Sequence, residues 1–200
     1  QKAFHIADKY RTPVMVLCDG VLAQMMEPVE EIKPLYNETF NKDDWSVGIG
    51  GDKKVVSSLY LNPNDLENHS IKLKAKTMEI AKNEAMYESY NLENADVVIV
   101  SYGISSRIAR KVIADIDGVN VGLVSLKTIN PFPTKFMEEI SSKTKFILGL
   151  ELSLGQMVND LKLVVNNQLP VEHYGRTGGI IFSEQEIIDF IKGKKGEYDG

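Results

Sequence analysis

The chain has 200 residues, of which 43% are hydrophobic and 26% charged, and its formal net charge is -5. That negative balance excludes a surface built to attract nucleic acid or anionic membranes, and no apolar run approaches the ~20 residues that cross a bilayer. A single cysteine, Cys18, excludes an internal disulfide, points to a reducing cytoplasm, and is too few for an iron–sulfur cluster, which takes about four thiolates.

Helical spacing of Ala3, Phe4 and Ala7 opens the chain, and the apolar residues 14–18 then predict a strand closed by Asp19-Gly20. One helix and one strand cannot enclose a core. The helix begins at Gln1 without a start signal, so the chain is expected to begin inside a domain of a longer protein. No basic-then-apolar leader pattern stands at Gln1. Residues 24–64 are irregular, with Pro28, Pro34 and Pro63, the acidic cluster Glu27, Glu30 and Glu31, and the glycines Gly48, Gly50 and Gly51; they read as a long connection. A helix over residues 65–88 follows, capped by Asn64 or Asp65. Ile71, Ala75, Met78, Ala81 and Ala85 lie on one face, and its length of about 36 Å suits a bridging helix.

From Asp96 the pattern becomes regular. "DVVIV", "VNVGLVSL" and "KFILGLEL" are apolar along their whole length, and "PVEHY" is a fourth, shorter strand. Helical faces separate them: Ile104, Ile108, Val112, Ile113 and Ile116; then Phe136, Met137 and Ile140; then Met157, Val158, Leu161, Val164 and Val165. Ser183 and Glu186 make a capping box before Ile187, Ile188 and Ile191. Uninterrupted apolar strands alternating with helices predict an α/β fold, a mainly parallel sheet with helices on both faces. Ligands of such sheets gather outside the carboxyl ends of the strands. Those ends are Tyr102-Gly103, Ser125-Leu126, Glu151-Leu152-Ser153 and Tyr174-Gly175.

The motifs for common chemistries are missing. In "GIGGDKK" Lys53 stands where a dinucleotide loop needs its third glycine, and no phosphate-binding G-x-x-x-x-G-K-[ST] occurs. "SYGISSRIARK" is a strand–glycine–helix turn whose Ser105 or Ser106 is expected to cap the helix. No G-x-S-x-G elbow is present. His5, His69 and His173 show no metal-site spacing.

Several segments together resemble the alpha subunit of 2-oxoacid:ferredoxin oxidoreductases, in its 2-oxoisovalerate (branched-chain) branch. They are "KYRTPVMVLCDGVLAQMMEP", "ADVVIVSYGISSRIA", "INPFP", "LSLGQMVNDLKLVVN" and "PVEHYGRTGG". They run in order over nearly the whole chain. The resemblance implies that residues 1–40 are the tail of a truncated thiamine-contacting α/β domain, 41–92 a linker and bridging helix, and 93–195 a domain like the transketolase C-terminal domain. It implies an enzyme that converts a 2-oxoacid and coenzyme A to acyl-CoA and carbon dioxide and passes electrons to ferredoxin, in the cytoplasm of an anaerobic microbe. Thiamine diphosphate with Mg2+ would sit on a beta subunit, [4Fe-4S] clusters on ferredoxin-like gamma and delta subunits, and the chain would make homodimer contacts. The diphosphate-holding G-D-G…N-N motif is absent: Cys18-Asp19-Gly20 lacks the leading glycine and Asn166-Asn167 lies far away. No cofactor, catalytic residue or metal ligand is therefore expected on this chain itself.

The one candidate binding motif is "YGRTGG". Gly175, Gly178 and Gly179 permit close backbone approach, Arg176 can grip a carboxylate or phosphate with two hydrogen bonds, and Thr177 adds a hydroxyl. Gly175, Arg176, Thr177 and Gly178 are expected either to contact coenzyme A or a partner subunit, or to form a structural turn with Arg176 paired to a carboxylate such as Glu151. Glu151, Ser153, Gln156 and Asn159 cluster at a strand end, where Glu151 is expected to serve the free N–H groups of the next helix. Asp19 and Gln24 stand where a strand of the thiamine-contacting domain ends, and Met25 and Met26 suit an interface. Two roles follow, part of that oxidoreductase or a non-catalytic docking module, with another thiamine enzyme such as a transketolase as the rival family.

Overall fold

The computed structural model describes residues 1–36, 39–47, 53–166 and 168–199. The glycines at 48, 50 and 51, and Asn167, lie outside them. The chain divides into two compact units, one of residues 1–17 and 26–80, the other of residues 18–25 and 81–200.

In the first unit the N-terminal periodicity forms α1 (Lys2–Tyr10), which buries Ile6 and Tyr10 and ends at Arg11 in a left-handed conformation. The strand expected at residues 14–18 does not form: the segment carries no ladder, and Met15, Val16 and Leu17 are exposed. Apolar β-branched sequence makes a strand only against a neighbouring strand, and none lies beside it among the described residues. The long helix α3 (Pro63–Glu84) starts earlier than expected. Pro63 takes the first helical position, where its missing N–H costs nothing, and the Asn64 N–H donates to Asn62 Oδ1 at 2.9 Å. The cap is thus Asn62 in place of Asn64 or Asp65.

The second unit opens with the short α2 (Gly20–Gln24) and is built on a five-stranded sheet. Its strands are β1 (Tyr87–Tyr90), β2 (Val97–Ser101), β3 (Val121–Leu126), β4 (Phe146–Glu151) and β5 (Val171–Gly175), in the order β1-β3-β2-β4-β5. β2, β3, β4 and β5 are parallel; β1 is an antiparallel edge on β3. The helix expected over residues 65–88 runs into the first two residues of β1, a strand that has no buried face of its own and is defined only by its pairing with β3. The three inner strands are buried throughout, as their uninterrupted apolar sequences require.

Helices cover both faces. α4 (Gly103–Asp115) and α7 (Glu184–Asp199) pack with Val97, Ile99, Leu123, Phe146, Leu148 and Leu150 on one face. α5 (Thr134–Ser141) and α6 (Gln156–Val165) pack with Val98, Val100, Val124 and Ile147 on the other. The chain is therefore the expected α/β fold with a mainly parallel sheet between two helical layers. β2 leads through α4 to β3 on one side, and β4 leads through α6 to β5 on the other. The direction of winding changes between β2 and β4, and the crevice of an open α/β sheet lies outside the carboxyl ends of such a pair.

Candidate functional site

Two helices begin at that crevice, α4 after β2 and α6 after β4. The N-terminus of each presents free N–H groups and partial positive charge, the usual seat of a phosphate or carboxylate. Both seats are filled by side chains of this chain.

At α4 the occupant is Asp19. Its Oδ1 accepts from the Leu22 N–H at 2.9 Å and so caps α2; its Oδ2 accepts from the Ile104 N–H, also at 2.9 Å, and caps α4. Tyr102, the residue before α4, supplies no side-chain cap of its own. Gly103 adopts φ 60, and a Cβ there would stand 2.4 Å from Asp19 Oδ2, so only glycine admits the carboxylate. The expected cap by Ser105 or Ser106 is thereby corrected: both serines are buried within α4, and Ser106 Oγ lies 2.9 Å from Ser101 Oγ. The cap comes from a residue 85 positions away, which no local pattern shows. Asp19→Ala removes both caps and should cost about 1–2 kcal/mol, while Asp19→Asn, still able to cap one helix, should lose less. Thermal unfolding of the three proteins checks the order.

At α6 the occupant is Glu151, the last residue of β4 and fully buried. Gly155, the N-cap position of α6, has φ 101 and offers no side chain. Glu151 replaces it, its Oε2 accepting from Met157 N–H and its Oε1 from Val158 N–H, each at 3.2 Å. The Ser153 hydroxyl donates to Oε2 at 2.5 Å. The role anticipated for Glu151 is the one it plays, with Gln156 as the first residue of α6.

Tyr102 and His173 lie beside this polar cluster; in the sequence Tyr102 stood out only as a strand end and His173 only as a histidine without metal-site spacing. Burial raises the Tyr102 pKa above the ordinary phenol value, the nearby Glu151 charge raises it further, and Ser153 opposes them. His173 projects from β5 with a buried Nε2 that has no hydrogen-bond partner and lies 3.8 Å from Glu151 Oε1, too far for a hydrogen bond. Gly175 makes room for its ring: a Cβ at 175 would lie 2.5 Å from His173 Nε2 and 2.4 Å from the Ser153 carbonyl. The signal in sequence was the glycine two residues after His173. The set is not an acyl-transfer triad, because Ser153 gives its proton to the carboxylate, whereas a serine nucleophile needs the imidazole between itself and the acid.

The "YGRTGG" residues are placed next to this cluster but do not join it. Gly175 ends β5. Arg176 pairs with Glu186 of α7, not with Glu151. Glu186 also accepts from the Ser183 N–H at 2.7 Å and Oγ at 3.1 Å, while its own N–H donates to Ser183 Oγ at 3.3 Å, which forms the expected capping box. The Ser183 N–H, followed by Arg176, holds the Glu186 carboxyl below its ordinary pKa. Thr177 closes a turn through its carbonyl, which accepts from the Ile180 N–H at 3.4 Å. Gly178 and Gly179 have φ 69 and 83, and the space where their Cβ atoms would stand is open.

Among the described residues no group of three His, Cys, Asp or Glu side chains could hold a metal ion. The helix ends that would take a phosphate are occupied by Asp19 and Glu151. No helix among the described residues is long and apolar enough to cross a membrane.

Residues 95–187 match the family described as pyruvate:ferredoxin oxidoreductase core domain II. The chain is 35% identical, over 98% of its length, to the ketoisovalerate oxidoreductase subunit VorB of Methanothermobacter thermautotrophicus, of which it covers 56%. It is 26% identical, over 97% of its length, to the 2-oxoglutarate synthase subunit KorA of Methanothermobacter marburgensis, of which it covers 60%. It thus spans little more than half the length of these relatives. Its fold resembles that of 2-oxoglutarate:ferredoxin oxidoreductase from Magnetococcus marinus, solved with 2-oxoglutarate, coenzyme A and succinyl-CoA bound, with a TM-score of 0.60 and 20% identity over 67% of this chain and 24% of that one. Core domain II is matched from the residues before β2 into the first turn of α7, and along its whole length the chain is similar to subunits of 2-oxoacid:ferredoxin oxidoreductases.

Proposed function

We propose that this chain forms the core-domain-II part of an alpha-type subunit in a multi-subunit 2-oxoacid:ferredoxin oxidoreductase, and that within it this part serves assembly and does not hold a cofactor. The assembled enzyme would convert a 2-oxoacid, of the branched-chain type, and coenzyme A to acyl-CoA and carbon dioxide, with electrons passing to ferredoxin. Thiamine diphosphate with Mg2+ and the [4Fe-4S] clusters would be held by beta, gamma and delta subunits. The domain division into 1–40, 41–92 and 93–195 belongs to the same reading. The observation that carries the assembly role is the filling of both crevice helix ends by Asp19 and Glu151. With Arg176 held by Glu186, the exposed backbone of Gly178 and Gly179 is the part of "YGRTGG" left to meet a neighbour, and we assign it to a partner subunit in preference to coenzyme A.

Co-expression with the remaining subunits tests this. The purified complex should reduce ferredoxin with 2-oxoisovalerate faster than with pyruvate or 2-oxoglutarate. The 200-residue chain alone should give no heat of binding with thiamine diphosphate or coenzyme A in calorimetry. Turnover of a 2-oxoacid by the isolated chain, or tight coenzyme A binding lost on Arg176→Ala, would overturn the assembly role.

A further inference from the structure

Between α2 and α3 the described residues form no helix or strand, yet one stretch of them is ordered by specific contacts. In residues 28–36, "PVEEIKPLY", the apolar side chains Val29, Ile32 and Leu35 recur at every third position and are 79%, 72% and 67% exposed. Three residues per turn is the period of a polyproline II chain, which Pro28 and Pro34 favour by fixing their own φ. A chain of that period would set the three apolar groups along one edge, about 9 Å apart. Glu30 and Glu31, between Val29 and Ile32, are both exposed.

The carboxyl end of this stretch is fastened to α1. The Gln1 amide donates to the Lys33 carbonyl at 3.1 Å and accepts from the Leu35 N–H at 2.8 Å. One helical turn further along the same face of α1, the His5 ring stacks on Tyr36 with ring centres 3.9 Å apart and meets the edge of Phe40 at 5.1 Å. A mere spacer would need no such fastening, and a strap serving the core of its own unit would bury its apolar edge. A strap held in place with that edge open to water has already met part of the ordering cost of binding.

We infer that residues 28–36 are a docking strap, received by a partner subunit of the oxidoreductase in an apolar groove rimmed by lysine and arginine. The inference rests on the assembly reading above. The groove is apolar because it must cover Val29, Ile32 and Leu35, and its rim is basic because it must face Glu30 and Glu31. A second copy of this chain, with its net charge of -5, would bring like charge to those carboxylates, which disfavours it as the occupant.

The test compares hydrogen exchange of the strap in the complete alpha-type subunit alone and in the complex assembled with its co-expressed partner subunits. It adds the variants V29E/I32E and E30K/E31K, whose folding is checked by circular dichroism. In the complex the amides of Glu31 and Ile32 should exchange at least about tenfold more slowly than in the lone subunit. V29E/I32E should lose stoichiometric partner on native mass spectrometry, and E30K/E31K should weaken assembly most at low salt. Equal exchange in both samples, or full assembly by V29E/I32E, would overturn the strap while leaving the family and its activity untouched. Strap amides already protected in the lone subunit would show that its own chain covers them, and self-association abolished by V29E/I32E would show a second copy; either overturns the proposal. Failure of the wild-type subunit to assemble would overturn both the strap and the assembly reading.

Discussion

Glu151→Ala is expected to destabilise the sheet unit by about 3 kcal/mol, which corresponds to a fall in melting temperature of roughly 6–12 °C for a chain of this size. The carboxylate is fully buried and accepts two helix N–H groups and a serine hydroxyl. Alanine leaves the Met157 and Val158 N–H groups without partners, in a place where Gly155 supplies no alternative cap and where an unserved buried donor costs about 1–3 kcal/mol. It also removes four heavy atoms from a packed layer. Glu151→Gln keeps an acceptor but turns one oxygen into a donor facing donors, so about half the loss is expected. Urea unfolding followed by far-UV circular dichroism reads both. A Glu151→Ala protein within 1 kcal/mol of the parent would mean that α6 needs no cap from β4, and the description of the crevice as internally filled would fail with it.

Which parts of this molecule could be read from sequence depends on how local their causes are. β2, β3 and β4 announced themselves, because a strand buried on both faces must be apolar throughout. The capping box of Ser183 and Glu186 was legible for the same reason, since all its bonds lie within one helical turn. Residues 14–18 have the composition of a strand without being one, because pairing is a property of the neighbour and not of the segment. β1 shows the converse: Tyr87, Glu88, Ser89 and Tyr90 have no apolar face and become a strand only by lying antiparallel to β3. The site divides in the same way. Glu151 lies six and seven residues before the N–H groups it serves and could be anticipated. Asp19 reaches α4 across 85 positions, and the partner of Arg176 proved to be Glu186, ten residues on, because the chain turns back at Gly178 and Gly179.

The arrangement of carboxylates shows how this fold fills both of its crevice helix ends from within. In an open α/β sheet the helix ends at the change of winding hold phosphates because their N–H groups need an anion. Asp19 and Glu151 supply that anion from within, on opposite faces of the sheet. The same groups that would make a ligand site instead lock residues 18–25 onto α4 and β4 onto α6. Each carboxylate thus ties together two elements that meet at this end of the sheet.

Gly175→Ala should cost about 2–3 kcal/mol and Gly178→Ala only about 1 kcal/mol, although the two glycines share one motif. At 175 a methyl group would lie 2.4 Å from the Ser153 carbonyl and 2.5 Å from His173 Nε2, between two strand-end loops packed side by side. The imidazole can swing aside, but the carbonyl belongs to the loop that Glu151 fastens through the Ser153 hydroxyl, so the clash must be relieved by shifting backbone. At 178 the space is open and the cost is conformational alone, since φ 69 disfavours a residue with a Cβ. Adding His173→Ala to Gly175→Ala removes one of the two obstacles, and the double variant should recover part of the loss but not all of it. Chemical denaturation of the four proteins measures each quantity. If Gly178→Ala proved the more damaging, the loop beyond Arg176 would be packed against something in the folded chain; the expected order instead makes Gly175 a packing requirement of the Ser153 carbonyl and the His173 ring and leaves the space at Gly178 open.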